Sequence, residues 1–253
     1  MADTLSVEKL YKKYGRKQVV KGISFSMENG SITGLLGPNG AGKTTTFYMI
    51  VGFIKSNGGK ILLSGENITN LPMHKRSKLG LSYLPQESSI FRKLTVEENI
   101  KLVVQTRNDL SKIEKKELTE SLMEEFGISK LWKQYGYTLS GGERRRTEIA
   151  RALATNPKFL LLDEPFAGID PKAVYEIKQI IRKLKDQGIG ILLTDHNVRD
   201  TLEITTCAYI INEGNILVYG TKEELINNET AREIYFGNDF MKEEIKWFHP
   251  LFL

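Results

Sequence analysis

The run Gly37-Pro38-Asn39-Gly40-Ala41-Gly42-Lys43-Thr44 spaces its glycines, lysine and hydroxyl as a phosphate cradle requires. Glycine lets successive main-chain N–H groups turn inward around phosphate oxygens. Lys43 adds a full positive charge, and the Thr44 hydroxyl is placed to ligate Mg²⁺. A second constellation, Phe159-Leu-Leu-Leu-Asp-Glu164, is four apolar residues closing on two acids. Such a run buries its apolar part in a sheet and delivers the acids at its C-terminal edge. There Asp163 would hold Mg²⁺ and Glu164 would orient and activate an attacking water. Paired acids also cap helices, but a phosphate loop in the same chain favours the catalytic reading. His196, closing IGILLTDH, is the third piece, placed to stabilise developing charge on a transferred phosphoryl group. A further turn, Ser140-Gly141-Gly142, opens a helix and forms another anion site. It is either a plain helix cap or the lid of a different nucleotide.

These residues do chemistry together only if strand ends are brought side by side. Residues 31–37 (SITGLLG), Phe159–Asp163 and 189–195 (IGILLTD) read as buried strands. Between the last two, Ile177, Ile180, Ile181 and Leu184 recur at helical spacing until Gly188 stops the helix. Strand, helix, strand in that order predicts a parallel sheet covered on both faces. Thr95-Val-Glu-Glu98, Ser111-Lys-Ile-Glu114 and Thr221-Lys-Glu-Glu224 are capping boxes that each open a helix. From 88 to 156 the pattern is helical without a convincing strand, while the first 30 residues and 58–70 carry strand-and-turn signals. The expected fold is α/β: a phosphate-loop core with a mostly parallel sheet, an antiparallel β layer and a helical insertion at 88–156. One domain is expected over 1–240, followed by a tail at 241–253.

Composition narrows the class. The chain has 253 residues, 40% hydrophobic and 26% charged, ordinary for a globular protein with a sizeable core. No apolar run approaches the roughly 18 residues that cross a bilayer, and MADTLSVEKL lacks the layout of a secretory signal. Cys207 has no intrachain partner, which fits a reducing compartment, and is expected to be a small buried apolar residue. The net charge of +5 suits nucleic acid, anionic head groups or a nucleotide. Its densest cluster, Arg144, Arg145 and Arg146, lacks interleaved aromatics. It reads as a solvated or interface helix face, and no nucleic-acid partner is expected.

Leu139-Ser-Gly-Gly-Glu143 resembles the signature of ABC ATPases, and the motif order around it fits that family over about residues 4–240. The resemblance implies an ABC ATPase cassette that binds and hydrolyses ATP with Mg²⁺. Gln86 in LPQESS resembles the Q-loop glutamine, implying contact with Mg²⁺ and with a membrane partner. Ala167-Gly-Ile-Asp170 resembles the loop that crosses the dimer interface. Tyr14, about 29 residues before Lys43, stands where the family stacks an aromatic on adenine, with Tyr11 as the alternative. The implied nucleotide-binding set is thus Tyr14, the loop from Gly37 to Thr45, Gln86, Ser140, Gly141 and Gly142. In the family one cassette's signature closes on ATP held by another, and this chain has one copy of each motif, so a homodimer around two ATP is expected.

Membrane subunits are expected to dock near Gln86–Asn99, with Phe91 and Leu94 as apolar contacts and Arg92 and Lys93 as polar ones; ordinary packing of the helical insertion is the alternative. Within the family, residues 34–52, 83–100, 139–171 and 192–202 are similar to ATPases that power lipopolysaccharide export from the inner membrane. ATPases of branched-chain amino-acid import are similar too, including the ending at 231–237. Phe166-Ala-Gly after the acids and TDHNVR around His196 favour export. That implies a cytoplasmic subunit, peripheral on the inner membrane. A non-transport cassette acting on ribosomes would usually carry two cassettes, and a DNA-repair relative a long coiled coil. Residues 241–253 extend past the family's usual end, and the apolar stretch 247–253 is expected to pack on its own cassette or its twin.

Overall fold

The structure, a computed structural model, describes residues 2–236. The tail at 241–253 and Gly237 of the importer-like ending lie outside the described residues.

The first three strands are β1 (Thr4–Tyr14), β2 (Lys17–Glu28) and β3 (Ile32–Leu36), followed by α1 (Lys43–Val51). Then come β4 (Gly58–Leu63), β5 (Glu66–Asn67), α2 (Met73–Lys78) and β6 (Leu81–Leu84). A helical stretch follows with α3 (Val96–Val104), α4 (Lys112–Glu125) and α5 (Gly141–Leu153). Next are β7 (Phe159–Asp163), α6 (Pro171–Asp186), β8 (Gly190–Thr194) and α7 (Val198–Ile204). The antiparallel strands β9 (Cys207–Asn212) and β10 (Asn215–Gly220) and the helix α8 (Lys222–Asn227) follow, before two short helical turns.

The strands form two sheets. One is antiparallel, in the order β2-β1-β4-β5; the other has the order β10-β9-β3-β8-β7-β6. In the second, β9, β3, β8, β7 and β6 are mutually parallel and β10 is antiparallel at the edge. Both faces of the parallel sheet are covered, which is why β3, β7 and β8 are buried at every position instead of alternating. Leu160, Leu162, Ile191 and Leu193 pack with the helical stretch and α6 on one face. Phe159, Leu161 and Leu192 pack with α1 and the antiparallel sheet on the other.

The three expected strands are present, Phe159–Asp163 with the expected bounds and the other two a residue shorter at each end. The expected capping boxes at Thr95, Ser111 and Thr221 all form, each side chain accepting from the third helical N–H. Gly188, at φ 89°, ends the turn after α6. The sequence patterns gave no sign of β6, β9 and β10, all three in the second sheet. Two expectations are corrected. Cys207 is half-buried, with its sulfur 3.9 Å from the Thr33 hydroxyl. Arg145 is 6% exposed, so the arginine cluster is not a uniformly solvated or interface face.

Candidate functional site

The parallel register dictates what meets at the sheet edge. Leu84 lies opposite Leu162, Asp163 opposite Thr194, and Gly34 opposite Leu193. Continuing each strand by two or three residues brings Gln86, Glu164, His196 and Gly37 to one edge, where parallel strands end and ligands bind in α/β folds.

The loop after β3 curls because Gly37, Gly40 and Gly42 all have positive φ. At Gly37 a Cβ would stand 2.1 Å from the Ile211 carbonyl oxygen, so no larger residue fits. Gly42 starts α1, whose first N–H groups face the loop without a side-chain cap. They are left for an anion. Lys43 is buried and donates to the carbonyls of Gly37 at 2.6 Å and Pro38 at 3.1 Å. Burial pulls its ammonium below the ordinary value, while Glu164 and Asp163 pull it back up.

A cavity of about 370 Å³ opens here, lined by Asn39, Gly40, Gly42, Lys43, Thr44 and Thr45 together with Val19, Glu164 and His196. A larger cleft of about 600 Å³ between α3 and α4 contains none of these residues.

Glu164 is buried at φ 47°, with its N–H donating to the Thr194 carbonyl at 2.7 Å. Gln86 Nε2 donates to one carboxylate oxygen at 2.6 Å, and His196 Nε2 lies 2.7 Å from the other. Asp163 is also buried and accepts from the Tyr83 hydroxyl at 3.2 Å. Burial raises its carboxyl above the ordinary value, and Glu164 adds to this against the opposing pull of Tyr83, Arg145 and Lys43.

Other expected residues stand apart from this cavity. Tyr14 ends β1 and is half exposed, with the Lys12 ammonium 5.0 Å from its ring centre; neither it nor Tyr11 lines the cavity. Ser140, Gly141 and Gly142 open α5 and also lie outside it. Ser140 caps that helix, its hydroxyl accepting from the Glu143 N–H at 3.3 Å. Gly142 is small for a packing reason, since a Cβ there would meet Ala173 Cβ at 2.8 Å. Phe91, Arg92 and Lys93 are exposed and Leu94 is half-buried. The Arg151 guanidinium stacks 5.2 Å from the Phe91 ring centre.

Sequence reasoning missed Arg145 and Asp195. Arg145 donates to the carbonyls of Pro85 at 2.9 Å, Glu164 at 3.1 Å, and Asp163 and Pro165 at 3.3 Å. It pairs with buried Glu148, whose other oxygen accepts from Ser88 and from the N–H groups of Ser89 and Ile90. One buried pair therefore ties the segment bearing Gln86 to the strand end bearing the acids. Its signal was position: Arg145 lies three residues after Gly142 and four before Ile149, on the inward face of α5. Asp195, buried and raised by that burial, accepts from the N–H groups of Phe166 at 3.0 Å and Asn197 at 2.9 Å.

A family model for ABC transporters matches residues 20–167, more than half of the chain. The chain is 52% identical over 236 residues to the lipopolysaccharide export system ATP-binding protein LptB of Haemophilus influenzae, covering 93% of this chain and 98% of that protein. It is 51% identical over 237 residues to the protein of the same name from Escherichia coli K12, covering 94% and 98%. Among solved structures, the ADP conformation of an ATP-binding cassette of an ABC transporter matches with a TM-score of 0.83 at 28% identity, covering 94% of this chain and all of that one. A likeness of this length and identity, over an architecture that superposes on a solved cassette, makes the chain a member of the ABC transporter family, one of its ATP-hydrolysing cassettes.

Proposed function

We propose that two copies of this chain close head to tail around two ATP, and that hydrolysis drives a membrane partner exporting lipopolysaccharide to the outer membrane. The observation that carries the catalytic part is the Glu164 carboxylate, held at the rim of the phosphate loop by Gln86 and His196. Glu164 is the general base for the attacking water, and His196 stabilises charge as it develops on the phosphoryl oxygens. Each carboxylate oxygen has one of these partners and keeps a second lone pair for the attacking water. Gln86 belongs to the segment we assign to partner docking, Gln86–Asn99, which gives docking a handle on the base.

The loop from Gly37 to Thr45 cradles the phosphates. Lys43 exchanges the Gly37 and Pro38 carbonyls for phosphate oxygens, whose charge supports an ammonium that burial disfavours. Tyr14 stacks on adenine. Ser140, Gly141 and Gly142 of one copy cap the nucleotide on the other, which accords with their standing outside this chain's own cavity. Mg²⁺ suits the donors present: the Thr44 hydroxyl, the Asp163 carboxylate and the Gln86 amide are hard oxygen ligands. Nucleotide phosphates would complete its shell. When bound, the ion neutralises phosphate charge.

The identity to the two LptB proteins over nearly their whole length supports lipopolysaccharide export, with residues 1–240 acting as one cassette on the cytoplasmic face of the inner membrane. No described helix is long and apolar enough to cross a membrane. The test is a pull-down of the tagged chain from detergent-solubilised native membranes. Membrane subunits with large periplasmic domains and bound lipopolysaccharide are expected. Multi-span amino-acid permeases would make it an importer ATPase, and ribosomal proteins alone would overturn transport.

A further inference from the structure

The loop after the acids leads into α6, and the loop carrying His196 leads into α7. A cleft of about 340 Å³ separates them, walled by Phe166, Ile169 and Val174 on one side and Asn197 on the other. Lys178 of α6 bridges it. Its side chain is 6% exposed, its Nζ lies 2.5 Å from Asp200 Oδ1, and it also bonds Glu203 Oε2. Arg182 holds the other Glu203 oxygen at 2.8 Å from the outer side.

Asp200 is wired to the catalytic loop. Asn197, the residue after His196, caps α7 by accepting from the Asp200 N–H at 3.1 Å, and its Nδ2 donates to the Asp200 carboxylate. A buried ammonium is costly unless paired, so the first turn of α7 is held where the Lys178 Nζ stands. The His196 side chain is 57% exposed and has little packing of its own to fix it. Its place is inherited from the backbone of 195–197. That backbone is anchored by Asp195, through the Phe166 and Asn197 N–H groups, and by the Asn197–Asp200 cap.

We propose that Lys178 is a positioning residue for the ATPase reaction: from α6 it fixes the first turn of α7 through Asp200 and Asn197, and so sets where His196 meets Glu164. The proposal rests on the roles assigned above to His196 and Glu164. Small misplacements of a catalytic group cost rate steeply, while nucleotide binding at the phosphate loop, reached from β3, is left alone. Removing Lys178 strands no deeply buried charge, because Asp200 and Glu203 are 24% and 49% exposed in their side chains and can be hydrated.

The test uses the full chain, with steady-state ATPase kinetics and imidazole proton NMR. Lys178→Met keeps the aliphatic stem and loses the charge. Its kcat should fall about ten-fold with the KM for ATP within about two-fold of native. The His196 resonance, one of three from the chain's histidines and assigned by its loss in His196→Ala, should leave its native position. Lys178→Arg should restore both readouts. Arg182→Met, which removes only the outer partner of Glu203, should behave as native. An unmoved His196 resonance or an unchanged kcat in Lys178→Met overturns the proposal, as does an Arg182→Met variant that is equally slow. The resonance is read without nucleotide, so it judges the positioning independently of the catalytic roles. Those roles fail separately, if Glu164→Gln leaves phosphate release from ATP intact.

Discussion

A glutamate at φ 47° is held there by its surroundings, because an L side chain disfavours that conformation. At Glu164 the restraints are the N–H bond to Thr194, the carbonyl bond from Arg145, and the two side-chain donors on the carboxylate. Glu164→Gln keeps the shape and removes the base, so ATP turnover should drop by about a hundred-fold or more while nucleotide binding persists, measured by phosphate release and by equilibrium binding. Asp163 makes a different prediction. Burial raises its carboxyl, so its contribution to stability is complete below the ordinary value of 3.8 and is lost as pH rises through the raised one. At neutral pH the charged form is therefore carried at a cost. Asp163→Asn should raise Tm at pH 7.5, with the gain shrinking as pH falls toward 4. ATP hydrolysis should be lost in the same variant. Melting curves across pH alongside activity check both halves.

At the scale of elements, the phosphate-loop helix is secured at both ends by other parts of the chain. Its start is fixed by Gly42, where a Cβ would lie 2.8 Å from the Val19 carbonyl oxygen of β2. Its end is fixed by Arg76 of α2, a buried side chain that donates to the carbonyls of Met49 at 2.7 Å and Ile50 at 2.5 Å. Arg76 also donates to Thr69 and Leu71 at 2.8 Å. Burial lowers this guanidinium to about 10, so it remains charged at neutral pH. Arg76→Met leaves helix-end carbonyls buried without donors, and should cost about 2–3 kcal/mol, a fall of roughly 5–10 °C in Tm by calorimetry. Residual activity per folded molecule should stay near native, because Arg76 touches neither the cavity lining nor the acids.

For the whole molecule, the decisive geometry is separation: Ser140, Gly141 and Gly142 do not line the cavity that holds Lys43 and Glu164. On the proposed two-copy reading, a second copy supplies what one lacks. Glu164→Gln, expected to bind ATP without consuming it, should double its mass by light scattering when ATP and Mg²⁺ are added and return to a monomer when they are removed. Mixing inactive Lys43→Ala with inactive Ser140→Arg should recover part of the ATPase rate, since the mixed pair contains one site with both halves intact. No recovery on mixing, with no ATP-dependent dimer, would sink the two-copy reading.

How much of this was legible in the sequence depends on how far each interaction reaches along the chain. The phosphate loop was readable because its requirement for glycine is local, set by positive φ at Gly37, Gly40 and Gly42. The capping boxes at Thr95, Ser111 and Thr221 were readable because each spans three residues. The strands β3, β7 and β8 showed themselves as short, mostly apolar runs, since both faces are buried. The strands β6, β9 and β10 did not; β6 and β9 are fixed by pairing with β7 and β3, which lie far away in sequence. Only tertiary structure could place Arg145 beneath the acids, 18 and 19 residues away in sequence, or Gln86 against Glu164, 78 residues away. The same holds for the bridge from Lys178 to Asp200. These pairings follow from the strand order β10-β9-β3-β8-β7-β6 and its register, which bring distant strand ends together. The sequence by itself determined which groups are chemically able to act; the sheet decided which of them touch, because contact across a sheet edge depends on every strand between them.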